Sequence, residues 1–279
     1  MNSVDKNPAR LTGGSQMATE DGAPLAALPR RVLILILACI ILIISLAWIY
    51  LIHLDDQMAS SMAQDQMMAE MGMAINAPWT AVDVLLTFTM WTVMMIGMMA
   101  PSAAPMVLVF AAAQSRRGNQ SVSLSAGMFG LGYVLVWAMF SAVAAVAQWV
   151  LHETALLSPE MKVLSPSIGG VVLIVAGIYQ ITPWKSACLT HCRSPLSFLM
   201  THWREGRWGA FEIGRHHGAY CLGCCWALMV ILFVVGVMNL AWVAALAAFV
   251  LLEKVAPHGA LIARISGAAL IACGIITIF

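Results

Sequence analysis

Two short stretches concentrate side chains that bind soft metal ions. One runs Cys188-Leu-Thr-His191-Cys192; the other runs His216-His217-Gly-Ala-Tyr-Cys221-Leu-Gly-Cys224-Cys225. On a helix, Cys188 and Cys192 are four apart and share a face, with His191 between them. His217 and Cys221 are likewise four apart, and Cys221 reaches Cys224 and Cys225 at three and four. Each stretch supplies only part of a coordination shell, so a metal site needs both. Closed four-coordinate Cys/His sets favour Zn(II), whereas two or three thiolates favour Cu(I). The irregular spacing and the adjacent pair Cys224-Cys225 match no zinc-finger arrangement, which puts copper ahead of zinc. A disulfide framework and a dithiol relay are the other chemistries open to these cysteines. Cys39 and Cys273 stand alone in apolar runs and are expected as buried small residues.

Methionine is the second source of sulfur, with 20 residues against 14 Lys plus Arg. Between residues 53 and 79 lies a segment with His53, Asp55, Asp56, Met58, Met62, Met67, Met68, Met71 and Met73 and no Lys or Arg. Met58 and Met62 are four apart, so a helical turn would stack them. Thioethers are soft, neutral donors that select Cu(I) and cannot form disulfides, which makes a copper catcher plausible on an oxidising side. The competing reading is an amphipathic helix on the membrane surface with Met as its greasy face. Further on, Met90, Met94 and Met98 follow one edge of a helix, with Met95, Met99 and Met106 beside it. Pro101 and Pro105 remove backbone donors there and free carbonyls that neighbours or water must satisfy. A soft packing surface accounts for the same column. Asp83 lies near the start of this run, either as a cation-attracting acid or simply solvated at the interface.

The elements that must carry these residues follow from composition. The chain is 61% hydrophobic and 10% charged, far below the roughly 25% charged typical of soluble domains. A body of this size could not be solvated by so few charges, so the chain is expected to live in lipid. A net charge of +1 with scattered basic residues excludes nucleic acid as a partner. Apolar runs predict an all-α, polytopic bundle of about seven transmembrane helices: 32–52, 81–112, 124–151, 166–184, 218–238, 239–256 and 261–279. The first run reads as an anchor rather than a cleaved signal, and the last two are short. With the N-terminus cytoplasmic, thirteen of the fourteen Lys and Arg fall on the inner side and only Lys162 falls outside. Residues 1–30 then form a disordered cytoplasmic tail and 31–279 the membrane domain. Within that domain the methionine segment 53–79 is an outer loop, and 185–217 is a cytoplasmic segment. Glu253 and Lys254 are expected to pair with each other or to mark the inner interface. No phosphate loop, nucleophile elbow or His-Glu-x-x-His motif is present, which argues against a hydrolase, a nucleotide-driven pump or any other enzyme.

Three motifs carry a family resemblance. They are Trp91-Thr-Val-Met94-Met95-Ile-Gly-Met98-Met99-Ala-Pro101, Pro183-Trp-Lys185-x-x-Cys188-Leu-x-x-Cys192-Arg193-x-Pro195, and Gly218-x-Tyr220-Cys221-Leu-Gly-Cys224-Cys225-Trp226-x-Leu-Met229. Met238-Asn239-Leu and Glu253-Lys254 also fit. Over about residues 80 to 275 the chain resembles a bacterial family of predicted metal-binding integral membrane proteins of unknown function, some labelled copper chaperones. The resemblance implies copper handling in a bacterial inner membrane. The methionine segment and the tail lie outside it.

The expectation is therefore an inner-membrane protein that captures Cu(I) through Met58 and Met62. The ion passes along Met90, Met94 and Met98 and is held by Cys188, Cys192, His217, Cys221, Cys224 and Cys225. It is then translocated, or delivered to a membrane copper enzyme or copper carrier. Two rivals stand beside it: an accessory subunit that assembles with a membrane copper enzyme, and a thiol-disulfide redox membrane protein.

Overall fold

The computed structural model describes residues 28–71, 79–154 and 165–279, so the tail expected over 1–30 lies almost wholly outside the described residues. Ten helices and no strand occur among the described residues. In chain order they are α1 (Arg30–Glu70), α2 (Ala81–Arg116), α3 (Val122–Glu153), α4 (Pro166–Ile181), α5 (Pro183–Arg193), α6 (Pro195–His202), α7 (Gly206–Val230), α8 (Leu232–Val235), α9 (Leu240–Val255) and α10 (Gly259–Ile278).

Five of them are long and apolar enough to cross a membrane: α1 through Ser61, α2, α3, α7 continued by α8, and α10. The bent pair α4–α5 makes a sixth if counted as one span. At 16 residues, or about 24 Å at 1.5 Å per residue, α9 is shorter than a typical hydrocarbon core. Large apolar side chains such as Ile41, Ile49, Leu85, Val143 and Ile265 point outward, the pattern a lipid-facing bundle shows.

Helix boundaries follow local chemistry. Thr80 and Asp83 form a reciprocal capping box at the start of α2. The Asp83 carboxylate accepts from the Thr80 backbone N–H and hydroxyl, both at 2.7 Å. Asp83 is thus engaged as a helix cap. Proline after Thr182 and Ser194 disfavours helical backbone at the preceding residue and suits the first position of the next helix, so α4, α5 and α6 are separate pieces. The Thr182 side chain accepts from the Lys185 N–H and opens α5 at 62° to α4. The segment 185–217 is accordingly built of α5, α6 and the first half of α7.

Met58, Met62, Met67 and Met68, expected on a loop, lie instead on a continuation of α1, which runs unbroken to Glu70 and reaches about 60 Å, while Met73 lies outside the described residues. Met58 is half-buried in it. Met62 lies in the same helix, with its side chain outside the described residues.

The centre of the bundle is the α2–α3–α7 layer. At the α3–α7 crossing the backbones touch: a Cβ on Gly214 would lie 2.0 Å from the Phe129 carbonyl oxygen, and one on Gly132 2.1 Å from that of Phe211. Only glycine permits that approach, as in membrane helix pairs generally. Trp91, Trp137 and the α2 methionines fill the layer, and the indole N–H of Trp91 donates to Gln148 Oε1 at 2.7 Å.

Candidate metal centre

The α3–α7 contact aims one face of α7 into the core, and that face carries the thiols. Cys221, Cys224 and Cys225 are all buried. The Cys224 and Cys225 thiols each donate to the Cys221 carbonyl oxygen at 3.0 Å, the short-range bonds that thiols make inside a helix. The Cys225 Sγ lies 3.9 Å from the Met99 Sδ of α2. The Cys221 Sγ lies 3.1 Å from the Tyr133 hydroxyl of α3 and accepts from Lys254 Nζ of α9 at 3.0 Å.

The second cysteine pair arrives on α5, which packs against α7. Cys192 packs against the buried cluster that contains Cys224. Cys188 lies over Gly223, where a Cβ would fall 2.9 Å from its Sγ, so glycine at 223 makes room for the sulfur. The Tyr179 hydroxyl of α4 donates to the Gly223 carbonyl and pins α7 at this level. The bend at Thr182 therefore joins the two half-sites. All seven cysteines are free thiols.

The methionine column belongs to the same apolar cluster. Met90, Met94, Met95, Met98 and Met99 are buried together with the α7 thiols. Of these Met99 lies against a cysteine sulfur and is completely buried, as Met94 and Met98 nearly are. The Met99 carbonyl accepts from the hydroxyls of Ser102 at 2.9 Å and Tyr133 at 3.4 Å. At the far end of α1, Met58 and Asp55 line a cavity of about 430 Å³ together with Met238 and Asn239.

His217 takes a different place from the one expected. Its buried ring stacks on Tyr133 (centroids 5.8 Å apart) and packs against Phe129 and Phe198, with Nδ1 left without a partner. It belongs to an aromatic pocket one turn from Cys221. Among the described residues, no three His, Cys, Asp or Glu side chains are arranged to hold a metal ion. Cys39 and Cys273, expected as buried small residues, are exposed on the apolar outer surface.

Glu253 and Lys254 do not pair with each other. The Glu253 carboxylate binds Lys185 Nζ at 2.8 Å, both groups almost completely buried, and Gln180 and Ser266 complete the network. Lys254 points elsewhere, to Cys221 and to the Ser102 hydroxyl at 2.9 Å. Successive residues on a helix diverge by about 100°, so neighbours in sequence are poor candidates for a pair. Ser102 and Tyr133 are the site residues that motif reading misses, and Met99 and Lys254 stand in the motifs without the contacts they make here. A lysine inside an apolar run was the available signal for the last of them.

A family model described as PpoB2, copper chaperone, matches residues 88–277. The match takes in the methionine column, both cysteine groups, Glu253 and Lys254, and leaves α1 with Met58 and Met62 outside. Neither a curated protein nor a solved structure matches the chain. With most of its length matched, the chain belongs to the PpoB2 copper chaperone family.

Proposed function

We propose that the chain is a membrane-embedded Cu(I) carrier whose principal site is built from Cys192, Cys221, Cys224 and Cys225. The observation that carries this reading is the contact of Cys192 on α5 with the buried cluster that contains Cys224 on α7, beside the Cys225–Met99 pair. The donors come in pairs, Cys192 beside the Cys224 cluster and Cys225 beside the Met99 thioether, so each offers a soft, low-coordinate set. That set suits Cu(I) better than the closed tetrahedral shell of structural zinc. Cys188 stands one turn away as a reserve thiol, while His217, held among aromatic rings, tunes the pocket.

On this reading the bundle lies in a bacterial inner membrane in seven crossings, with α9 as a short one and the N-terminus inside. Lys185 and Lys254 are engaged within the bundle, so the inside orientation rests on the other eleven of the thirteen basic residues assigned to that face. The cavity at Met58 and Met238 would then receive copper on the outer side. The buried thioethers Met90, Met94, Met98 and Met99 form a graded path of weak sites toward thiols that bind more tightly. The cargo passes to a membrane copper enzyme or copper carrier, and the chain itself catalyses no reaction.

The test is copper quantification on the full chain purified in detergent under reducing conditions. We expect stoichiometric Cu(I) in the wild type and its loss in the Cys221→Ser/Cys224→Ser variant. Unchanged stoichiometry in that variant would sink the site. A second reading, thiol-disulfide exchange between Cys192 and Cys224, draws on the same contact. It predicts a disulfide that forms reversibly in the metal-free chain and a redox activity that copper does not affect.

A further inference from the structure

Four helices converge near one sulfur. Cys221 comes from α7, Tyr133 from α3, Ser102 from α2 and Lys254 from α9. Lys254 Nζ donates to Cys221 Sγ at 3.0 Å and to Ser102 Oγ at 2.9 Å, and the Tyr133 hydroxyl lies 3.1 Å from the same sulfur. Among the described residues no carboxylate forms a salt bridge with Lys254, because the neighbouring Glu253 is committed to Lys185. An ammonium group in an apolar interior needs a compensating partner. Here that partner is a cysteine sulfur, an unusual choice unless the sulfur has a second cation to hold.

We propose that Lys254 is an internal cation that occupies the Cys221 sulfur in the metal-free chain and is displaced when Cu(I) arrives. This rests on the copper reading of the cysteine cluster and adds how the affinity of that cluster is set. The ammonium sits on the sulfur from the α9 side, in the space a metal bound to Cys221 would share. When copper binds, Cys221 ligates it as the thiolate: the S–H proton leaves to the aqueous phase, and a Cu–S bond replaces both the S–H bond and the N–H···S hydrogen bond. The lysine keeps its protons and stays hydrogen-bonded to the Ser102 hydroxyl. The buried ammonium loses its sulfur acceptor in the exchange, and that loss opposes copper binding and favours release. A carrier must hand its ion on, and a resident competitor holds the affinity below what the thiols alone would give.

The test measures Cu(I) affinity and transfer rate on the full chain in detergent, by competition with a colorimetric Cu(I) chelator under reducing, oxygen-free conditions. Lys254→Met removes the charge and keeps the length. Lys254→Gln removes the charge but can still hydrogen-bond Ser102, which keeps the experiment decisive if the Met variant misfolds. Both should tighten Cu(I) binding by about tenfold or more and slow transfer to the chelator in proportion. Lys254→Arg, which keeps the charge, should stay within about threefold of wild type. Unchanged or weaker binding in the Gln and Met variants overturns the proposal, as does an Arg variant that tightens as much as Met. A wild type that takes up no Cu(I), or a Cys221→Ser variant that takes up just as much, fails the copper reading itself. Copper uptake that depends on Cys221 but is indifferent to Lys254 fails only the competitor.

Discussion

Glu253 and Lys254 are consecutive residues of α9, yet they serve two different kinds of buried polar site. On one side, Glu253 meets Lys185 with Gln180 and Ser266 around them, tying α4, α5, α9 and α10 together. Both charges there are matched and their hydrogen-bonding capacity is largely used. On the other side, Lys254 meets a thiol, a serine hydroxyl and, through the sulfur, a tyrosine. The first site is closed, with a full charge balance independent of any ligand. The second is soft, because its acceptor is the one atom in the group that also binds copper well. The difference separates a closed latch from a soft polar site within one turn of one helix.

The comparison breaks most severely at Glu253. Glu253→Ala leaves Lys185 buried without its counter-charge and should cost about 3–5 kcal/mol, read as a large drop in the thermal midpoint or in the yield of folded protein. A variant as stable as wild type would show that the latch carries no load. Replacing both partners, Lys185→Met with Glu253→Met, should restore most of that loss or exceed wild-type stability by up to about 4 kcal/mol, because no charge is then left unmatched. Failure of the double variant to recover would mean that the pair sets the geometry of α5 as well as balancing charge. The softer site should respond least. Tyr133→Phe removes one hydroxyl between Cys221 and the Met99 carbonyl and should cost about 1 kcal/mol in the same assay. A loss as large as that of Glu253→Ala would erase the distinction between the two sites.

Much of the helical architecture is legible in the sequence, since apolar runs of span length leave few alternatives once charge is so scarce. The two cysteine groups are legible too, because thiols at three and four residues apart share a helix face. Which thiols meet is not legible. That depends on the bend after Thr182 and on how closely α7 approaches its neighbours, and both are three-dimensional outcomes of a proline and a few glycines. The pairing of Glu253 with Lys185, 68 positions away, is hidden by the more obvious partner at 254. The polar run after Ile52 resembles the end of a span and so suggests a loop at Met58 and Met62, whereas nothing between Ile52 and Glu70 breaks a helix and α1 carries on. In a soluble protein Cys39 and Cys273 would belong inside. In a bundle whose outer surface is apolar, a small sulfur residue fits equally well on the outside.

The glycine contact between α3 and α7 bears on how reproducible the sulfur site is. At Gly132 and Gly214 main chain rests on main chain, and Gly218 approaches the Tyr133 carbonyl to within 3.3 Å of where a Cβ would stand. The spacing between Tyr133 and Cys221 is thus calibrated by covalent backbone dimensions rather than by the compliance of flexible side chains. The methionines around it can repack as freely as thioethers do, while the distance across the centre stays fixed like the jaws of a gauge.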